Sequence, residues 1–164
     1  MSMFCFQCQE TAMNKGCTVK GVCGKEEHVA KLQDLLIYTV KGISEVVVKG
    51  KIDGAGIPEV NHEVLRSLFM TITNANFDAD AIKKQISKMI SLREDLKTKA
   101  GVSGLHDAAV FKADAMEAML EKAASVGVLA TENEDVQLKL YPFPQTNSCK
   151  LFFRLRSSIQ AFVY

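Results

Sequence analysis

The chain has 164 residues, of which 48% are hydrophobic and 24% charged, and its formal net charge is +1. This composition is typical of a globular protein with an ordinary hydrophobic core and excludes a disordered chain. The balanced charge gives no broad basic surface for nucleic acid, and no apolar run reaches the ~18 residues that span a bilayer, so we expect neither a nucleic-acid nor a membrane partner.

The first residues, MSMFC, contain no basic segment followed by a long apolar one. A secretory signal requires both, so the sequence predicts a cytoplasmic protein in a reducing compartment. In such a compartment, clustered cysteines more often bind metal or carry out redox chemistry than form structural disulfides.

Residues 1–25 form the first predicted unit, a cysteine-rich loop with three glycines and no steady helical period. Cys5, Cys8, Cys17 and Cys23 follow a C-x2-C-x8-C-x5-C spacing, and the remaining cysteine is Cys149. Two thiolates three positions apart can face one metal centre, and two later ones can reach back from the loop, as in many four-cysteine iron–sulfur sites. Glycine-rich backbone and an excess of lysine over glutamate also favour an anionic cluster.

Three other interpretations of these cysteines remain open. Structural zinc also takes four cysteines, although usually through two short C-x2-C pairs, whereas the second pair here is separated by five residues. A pair of disulfides is disfavoured by the absent signal and the odd fifth thiol. Four unrelated cysteines are difficult to reconcile with this local density.

Residues 26–136 are predicted to form an antiparallel helical bundle, which makes the fold class all-α. The first helix should run from about Glu26 to Gly50 and be buried on more than one side. A second should follow Asn61 as N-cap, a third should run from the Asp78 cap to Gly101, and a fourth should extend from His106 or Ala108 to Ser125. The second helix should bury one face, formed by Val64, Leu65, Leu68, Phe69 and Ile72.

Residues 137–164 have a different character, with two prolines, no acidic residue and four of the nine phenylalanines. We predict an irregular C-terminal tail. The three histidines, His28, His62 and His106, lack paired metal-ligand spacing and are expected to have structural or solvent-exposed roles.

The segment MFCFQCQETAMNKGCTVKGVCGK, residues 3–25, resembles the N-terminus of hybrid-cluster proteins, also called prismane proteins or hydroxylamine reductases. The similarity includes the residues between the thiols: Phe6, Gln7, Gln9, Glu10, Thr11, Gly16 and Gly21 to Lys25. LQDLLIYTVKGI, residues 32–43, and VGVLATENEDV, residues 126–136, resemble later segments of the same family. The resemblance covers roughly residues 1–136.

This resemblance implies that Cys5, Cys8, Cys17 and Cys23 bind a [4Fe–4S] cluster that relays electrons from a donor protein. In the family, electrons then pass to a separate hybrid iron–sulfur–oxygen cluster, where hydroxylamine is reduced to ammonia. The ligands of that second cluster lie in later domains and have no counterpart here, so hydroxylamine is expected as a ligand only when those domains are supplied. The chain is therefore expected to be an electron-transfer domain of an oxidoreductase, inactive by itself, and a truncated or frame-shifted product, with a non-catalytic fragment or a structural zinc domain as alternatives.

Overall fold

The computed structural model of the protein describes residues 3–5, 10–72 and 76–126. Its four described α-helices are α1 (Glu27–Lys49), α2 (Pro58–Ile72), α3 (Ala79–Ala100) and α4 (Met116–Val126). Short 3-10 helices span Ala12–Asn14, Gly54–Gly56 and Asp107–Ala109. No strand is present among the described residues, so the all-α prediction is confirmed.

Helix α1 is the centre of the molecule and contacts α2, α3 and α4. Its bounds match the predicted ones, with Glu26 as N-cap and Gly50 as C-cap. The predicted burial on more than one side is also confirmed, because apolar side chains around most of the helix are buried: Val29, Leu32, Leu35, Leu36, Ile37, Val40, Ile43 and Val46. A helix buried in this way forms the core against which the others pack.

Helix α3 begins and ends where local sequence signals place it. The Asp78 carboxylate accepts a hydrogen bond from the Ala81 amide at 3.0 Å, which satisfies one of the free amides of the first turn. Gly101 adopts a left-handed conformation with φ of 59° and donates from its amide to the Lys97 carbonyl. Both predicted caps are therefore confirmed.

Helix α2 differs from the prediction in its start and in its buried face. It begins at Pro58, whose fixed φ suits the first helical position, and Asn61 lies inside the helix, where its side chain donates to the Gly54 carbonyl at 2.7 Å. Of the residues expected on its buried face, Leu68 is buried as predicted, but Leu65 and Phe69 are 59% and 56% exposed.

The face of α2 that is buried contains polar residues. Glu63, Ser67 and Thr71 are 5%, 0% and 1% exposed, and they follow one another at the four-residue helical spacing. The side chain of Gln85 on α3 donates to Glu63 at 2.9 Å and to Ser67 at 3.0 Å. Thr71 donates to the Leu68 carbonyl of its own helix at 2.8 Å. Hydropathy could not identify these polar residues as buried, since their hydrogen bonds are what allow them to leave water.

Helix α4 was predicted to start at His106 or Ala108 but starts at Met116. The Arg93 guanidinium of α3, which is completely buried, donates to the Ala108 carbonyl at 2.7 Å and also to the Phe111 carbonyl. These carbonyls have side-chain partners from another element, so the segment before α4 is stable without forming an α-helix.

Predictions for residues 127–164, including the tail at 137–164, Cys149 and most of the family-like segment 126–136, lie outside the described residues. None of the described helices combines the length and apolar character that crossing a bilayer requires.

Candidate metal centre

Cys5 and Cys17 lie directly opposite each other, although eleven residues separate them in the chain. The Cys5 amide donates to the Cys17 carbonyl at 3.0 Å, and the Cys17 amide donates to the Cys5 carbonyl at 2.9 Å. A residue pair that exchanges both hydrogen bonds has its Cα atoms about 5.5 Å apart. Both residues are buried, so the fold brings two of the four predicted ligands together in a shielded position.

Thr11 holds the two cysteine positions together from one side. Its buried hydroxyl donates to the Cys5 carbonyl at 3.2 Å and lies 3.7 Å from the Cys17 sulfur. A hydroxyl has one proton and can rotate to either acceptor. The Cys5 carbonyl already accepts from the Cys17 amide, so Thr11 can turn its proton to a Cys17 thiolate without leaving that carbonyl unsatisfied.

The surroundings of Cys17 favour its thiolate. Burial raises the pKa of the Cys17 thiol, but backbone hydrogen bonds at Ala12 and Val22, the Thr11 hydroxyl and the charge of Lys25 together hold this pKa below its ordinary value. The thiolate is the form that binds metal.

Lys25 places a buried positive charge next to Cys5. The residue is 1% exposed, and its ammonium lies 3.8 Å from the Cys5 sulfur and 2.6 Å from the side-chain oxygen of Gln33. An ammonium in this position lowers the energy of a negatively charged sulfur. Sequence analysis counted Lys25 only as one of several loop lysines, whereas Lys15 and Lys20 are exposed.

Gln33 is a site residue that sequence analysis missed. It lies on α1 and is completely buried, and its amide reaches the carbonyls of Met70 at 3.5 Å and Asn76 at 3.4 Å. It therefore connects the Lys25 ammonium to the region where α2 ends. Lys31 and Asp34 are close to Gln33 in the sequence, so the hydropathy pattern contained no signal that singled out this residue.

Cys23 lies within a tight turn and is partly exposed. The turn is closed by hydrogen bonds from the Gly21 amide to the Lys25 carbonyl and from the Gly24 amide to the Gly21 carbonyl, both 2.8 Å long. A Cβ on Gly21 would lie 3.1 Å from the Cys23 sulfur and 2.9 Å from the Lys25 Cβ. Glycine at position 21 therefore lets the backbone approach this sulfur closely.

Cys8 falls in the segment 6–9, outside the described residues, so only three of the four predicted ligands can be placed. Within the described ranges, no group of three or more His, Cys, Asp or Glu side chains is arranged to hold a metal ion. His28 and His62 are exposed, and His106 accepts from the Ala108 amide at 3.2 Å, a structural role of the kind predicted.

The described part of the centre nevertheless suits an iron–sulfur group in its chemistry. It offers buried thiols, a buried ammonium and a hydroxyl beside the sulfurs, and this combination stabilises negative charge on sulfur. Structural zinc also binds thiolates, so these contacts do not distinguish the two metals.

Residues 3–144 match the family described as the Prismane/CO dehydrogenase family. The chain is 66% identical over 137 residues to a hydroxylamine reductase of Acetivibrio thermocellus, covering 84% of this chain and 25% of that protein. It is 51% identical over 144 residues to a hydroxylamine reductase of Clostridium perfringens, covering 84% of this chain and 26% of that protein.

The chain thus spans about a quarter of the length of these relatives. The matched residues include the cysteine-rich segment and all four described helices. The resemblance inferred from the cysteine segment is confirmed, and the chain belongs to the Prismane/CO dehydrogenase family.

Proposed function

We propose that this chain is the N-terminal electron-transfer domain of a hydroxylamine reductase and that Cys5, Cys8, Cys17 and Cys23 bind a [4Fe–4S] cluster. The observation that carries the proposal is the hydrogen-bonded pairing of Cys5 with Cys17, beside the buried Lys25 ammonium. A bound [4Fe–4S] cluster supplies a reversible one-electron carrier.

The pairing matters because it brings thiols from distant parts of the sequence to adjacent positions. The two backbone hydrogen bonds fix the separation of Cys5 and Cys17, so the loop is already ordered for ligand binding at this point. We propose that the C-x2-C spacing adds Cys8 beside Cys5 and that the turn at 21–24 adds Cys23. Preorganised ligands lose less conformational entropy when they bind a metal group.

Charge and hydrogen bonding at the loop serve the same role. Four thiolates would carry a large negative charge in a partly buried position, and this charge is costly without compensation. The Lys25 ammonium offsets part of it at Cys5, while Thr11 and backbone amides offset part of it at Cys17. These groups are what a shielded anionic centre requires.

We propose the reaction from the names of the relatives. They are hydroxylamine reductases, and this chain corresponds to about a quarter of their length. We therefore propose that hydroxylamine is reduced at a centre formed by the remaining sequence of such proteins, and that this chain receives electrons from a donor protein. Thiolate ligands of an iron–sulfur cluster require a reducing compartment, which is why we propose that the protein is cytoplasmic.

Anaerobic reconstitution with ferrous iron and sulfide tests the proposal. We expect about four irons and four sulfides per chain, with the broad visible absorption and, after reduction, the EPR signal of a [4Fe–4S] cluster. Cys8→Ser should lose most of this iron, because a serine oxygen is a poor match for an iron–sulfur site. Cys149→Ser, the matched control outside the cysteine-rich segment, should load as the unmodified chain does. Stoichiometric zinc without iron uptake would instead establish a structural zinc domain.

A further inference from the structure

The most exposed apolar side chains of the described residues all lie on the cysteine-rich loop. Val19, Met13 and Val22 are 89%, 86% and 63% exposed, whereas the other exposed large apolar side chains reach at most 59%. All three belong to the short stretch 13–22, and large apolar side chains exposed together in one segment are typical of interaction sites.

Met13 has a further unusual feature. Its φ is +51°, in the left-handed region that residues with a Cβ rarely adopt. This conformation costs about 1–2 kcal/mol relative to the ordinary right-handed one. The loop therefore exposes a large apolar side chain in a backbone conformation that costs free energy. Contact of this side chain with water does not offset that cost.

The charge around these side chains is positive. Lys15 and Lys20 are exposed, and neither forms an ion pair within the described residues. Glu10 is the single acidic residue between positions 10 and 24. Exposed lysines interspersed with exposed apolar side chains in one loop match the composition of protein interfaces, in which the charges select the partner.

The positions of Val19 and Val22 beside the cysteines indicate what kind of partner this surface would bind. Val19 lies two positions after Cys17, and Val22 lies one position before Cys23. At no more than about 3.6 Å per residue, their Cα atoms lie within about 7 Å of those cysteines. A protein seated on this surface would therefore be close to the proposed cluster, and electron transfer becomes steeply faster as distance falls.

We propose that Met13, Val19 and Val22, bordered by Lys15 and Lys20, form the docking surface for a small acidic electron-carrier protein. This inference rests on the proposed function. In the docked complex one electron leaves the reduced carrier and enters the oxidised cluster, so the carrier is oxidised by one electron and no covalent bond changes. A surface of three apolar side chains and two lysines suits a transient redox complex, which typically buries less than about 1,200 Å².

The test uses the iron-loaded chain and an acidic [2Fe–2S] ferredoxin as the probe. Binding is measured by calorimetry at low and high salt, and electron transfer from reduced ferredoxin is followed by stopped-flow absorption. Lys20→Glu should weaken binding about tenfold at low salt, with a smaller difference at high salt, because its contribution is electrostatic. Val19→Ser should weaken binding several-fold at both salt concentrations.

Two controls match these changes elsewhere on the surface. Lys99→Glu makes the same charge change at an exposed lysine of α3, and Leu65→Ser removes an exposed apolar side chain from α2. Both should bind within about twofold of the unmodified chain. Reduction by dithionite, a small reductant that needs no docking surface, should be equal in all four variants.

The outcomes separate the two proposals. If the chain takes up no iron, the proposed function fails. If all variants load iron and react with dithionite, but Lys20→Glu and Val19→Ser behave like the two controls, the docking surface is overturned while the cluster stands. Self-association of the chain that Val19→Ser abolishes, without any effect on ferredoxin binding, would likewise overturn it in favour of a second copy of this chain.

Discussion

At the scale of single residues, Lys25 differs from the other loop lysines because its ammonium is buried beside the Cys5 sulfur. Its charge should favour the reduced, more negative state of the proposed cluster. The exposed lysines act through water and should have much weaker effects.

Lys25→Met should therefore lower the midpoint potential of the iron-loaded chain by roughly tens of millivolts. The reason is that a buried positive charge is lost with little change in side-chain volume. Redox titration monitored by EPR measures the shift, and Lys15→Met, which removes an exposed loop lysine, is the control. Equal potentials in both variants would contradict the role of Lys25.

Gly42 is the residue whose missing side chain matters most for packing. A Cβ at this position would lie 2.0 Å from the Ala108 carbonyl oxygen and 3.0 Å from the Ala109 Cα, so α1 touches the backbone of the segment before α4. Alanine would gain about 0.5–1 kcal/mol in helix propensity, but the backbone clash should outweigh this gain.

Gly42→Ala should accordingly reduce the free energy of unfolding by about 1–3 kcal/mol, as measured by urea denaturation. Gly56→Ala is the matched control, because a Cβ there meets nothing within 4 Å. This control should change stability by less than about 1 kcal/mol in either direction. A stabilised Gly42→Ala chain would show that α1 and the segment before α4 are farther apart than described.

At the scale of elements, α2 and α3 are joined by a buried polar network centred on Glu63. Its carboxylate accepts from the Gln85 side chain at 2.9 Å and from the Lys88 ammonium at 2.8 Å. The Gln85 hydrogen bond is the main reason that the pKa of Glu63 lies below its ordinary value of 4.5, and Lys88 adds to it. A carboxylate with a lowered pKa stabilises the fold above its unfolded pKa, and this contribution disappears as pH falls through the folded pKa.

Glu63→Gln should thus reduce the free energy of unfolding at pH 7 by about 1.5–3 kcal/mol, the range for a hydrogen-bonded charged group. Below pH 4.5 the unmodified chain should lose stability more steeply than the variant, because only it must protonate Glu63. Urea denaturation between pH 3 and 7, with the exposed Glu121→Gln as control, measures both effects. Parallel pH profiles for Glu63→Gln and the unmodified chain would exclude Glu63 as the titrating group.

The segment before α4 is also held by hydrogen bonds from other elements. Arg93 of α3 donates to two of its carbonyls, the buried Glu45 of α1 accepts from the His106 amide at 3.0 Å, and Tyr38 donates to Asp107 at 2.7 Å. Two elements, α1 and α3, therefore determine its conformation. Its own sequence favours helix, and the tertiary hydrogen bonds override that preference.

At the scale of the whole molecule, the proposed function separates electron delivery from hydroxylamine reduction. Reduction of an N–O bond requires a metal position that is open to substrate. In the proposed cluster all four irons have cysteine ligands, so no position is open. After Cys23 the sequence has one cysteine, Cys149, and after His106 it has no histidine, so it offers no second ligand set of the kind that the family resemblance implies.

The iron-loaded 164-residue chain should therefore be reduced by dithionite yet leave hydroxylamine largely unconsumed. Ammonia production measured anaerobically should not exceed that of the iron-free chain. A hydroxylamine reductase that retains the full length of the relatives is the positive control. Sustained ammonia production that Cys5→Ser abolishes would contradict the division of roles.

The sequence by itself determined the features that depend on neighbouring residues. The cysteine spacing and the residues between the thiols identified the protein family. Apolar periodicity identified helix α1. The Asp78 cap and the left-handed Gly101 marked the ends of α3, because both devices act within one helical turn.

Only the tertiary structure decided the features that depend on partners distant in the chain. It paired Cys5 with Cys17, buried Lys25 while leaving Lys15 exposed, and turned Glu63 rather than Leu65 toward α3. In each case the deciding free energy is that of a polar group withdrawn from water, which is favourable only when a specific partner is in place. Apolar periodicity contains no information about such partners, and that is the physical reason why it identified α1 but not the polar residues on the buried face of α2.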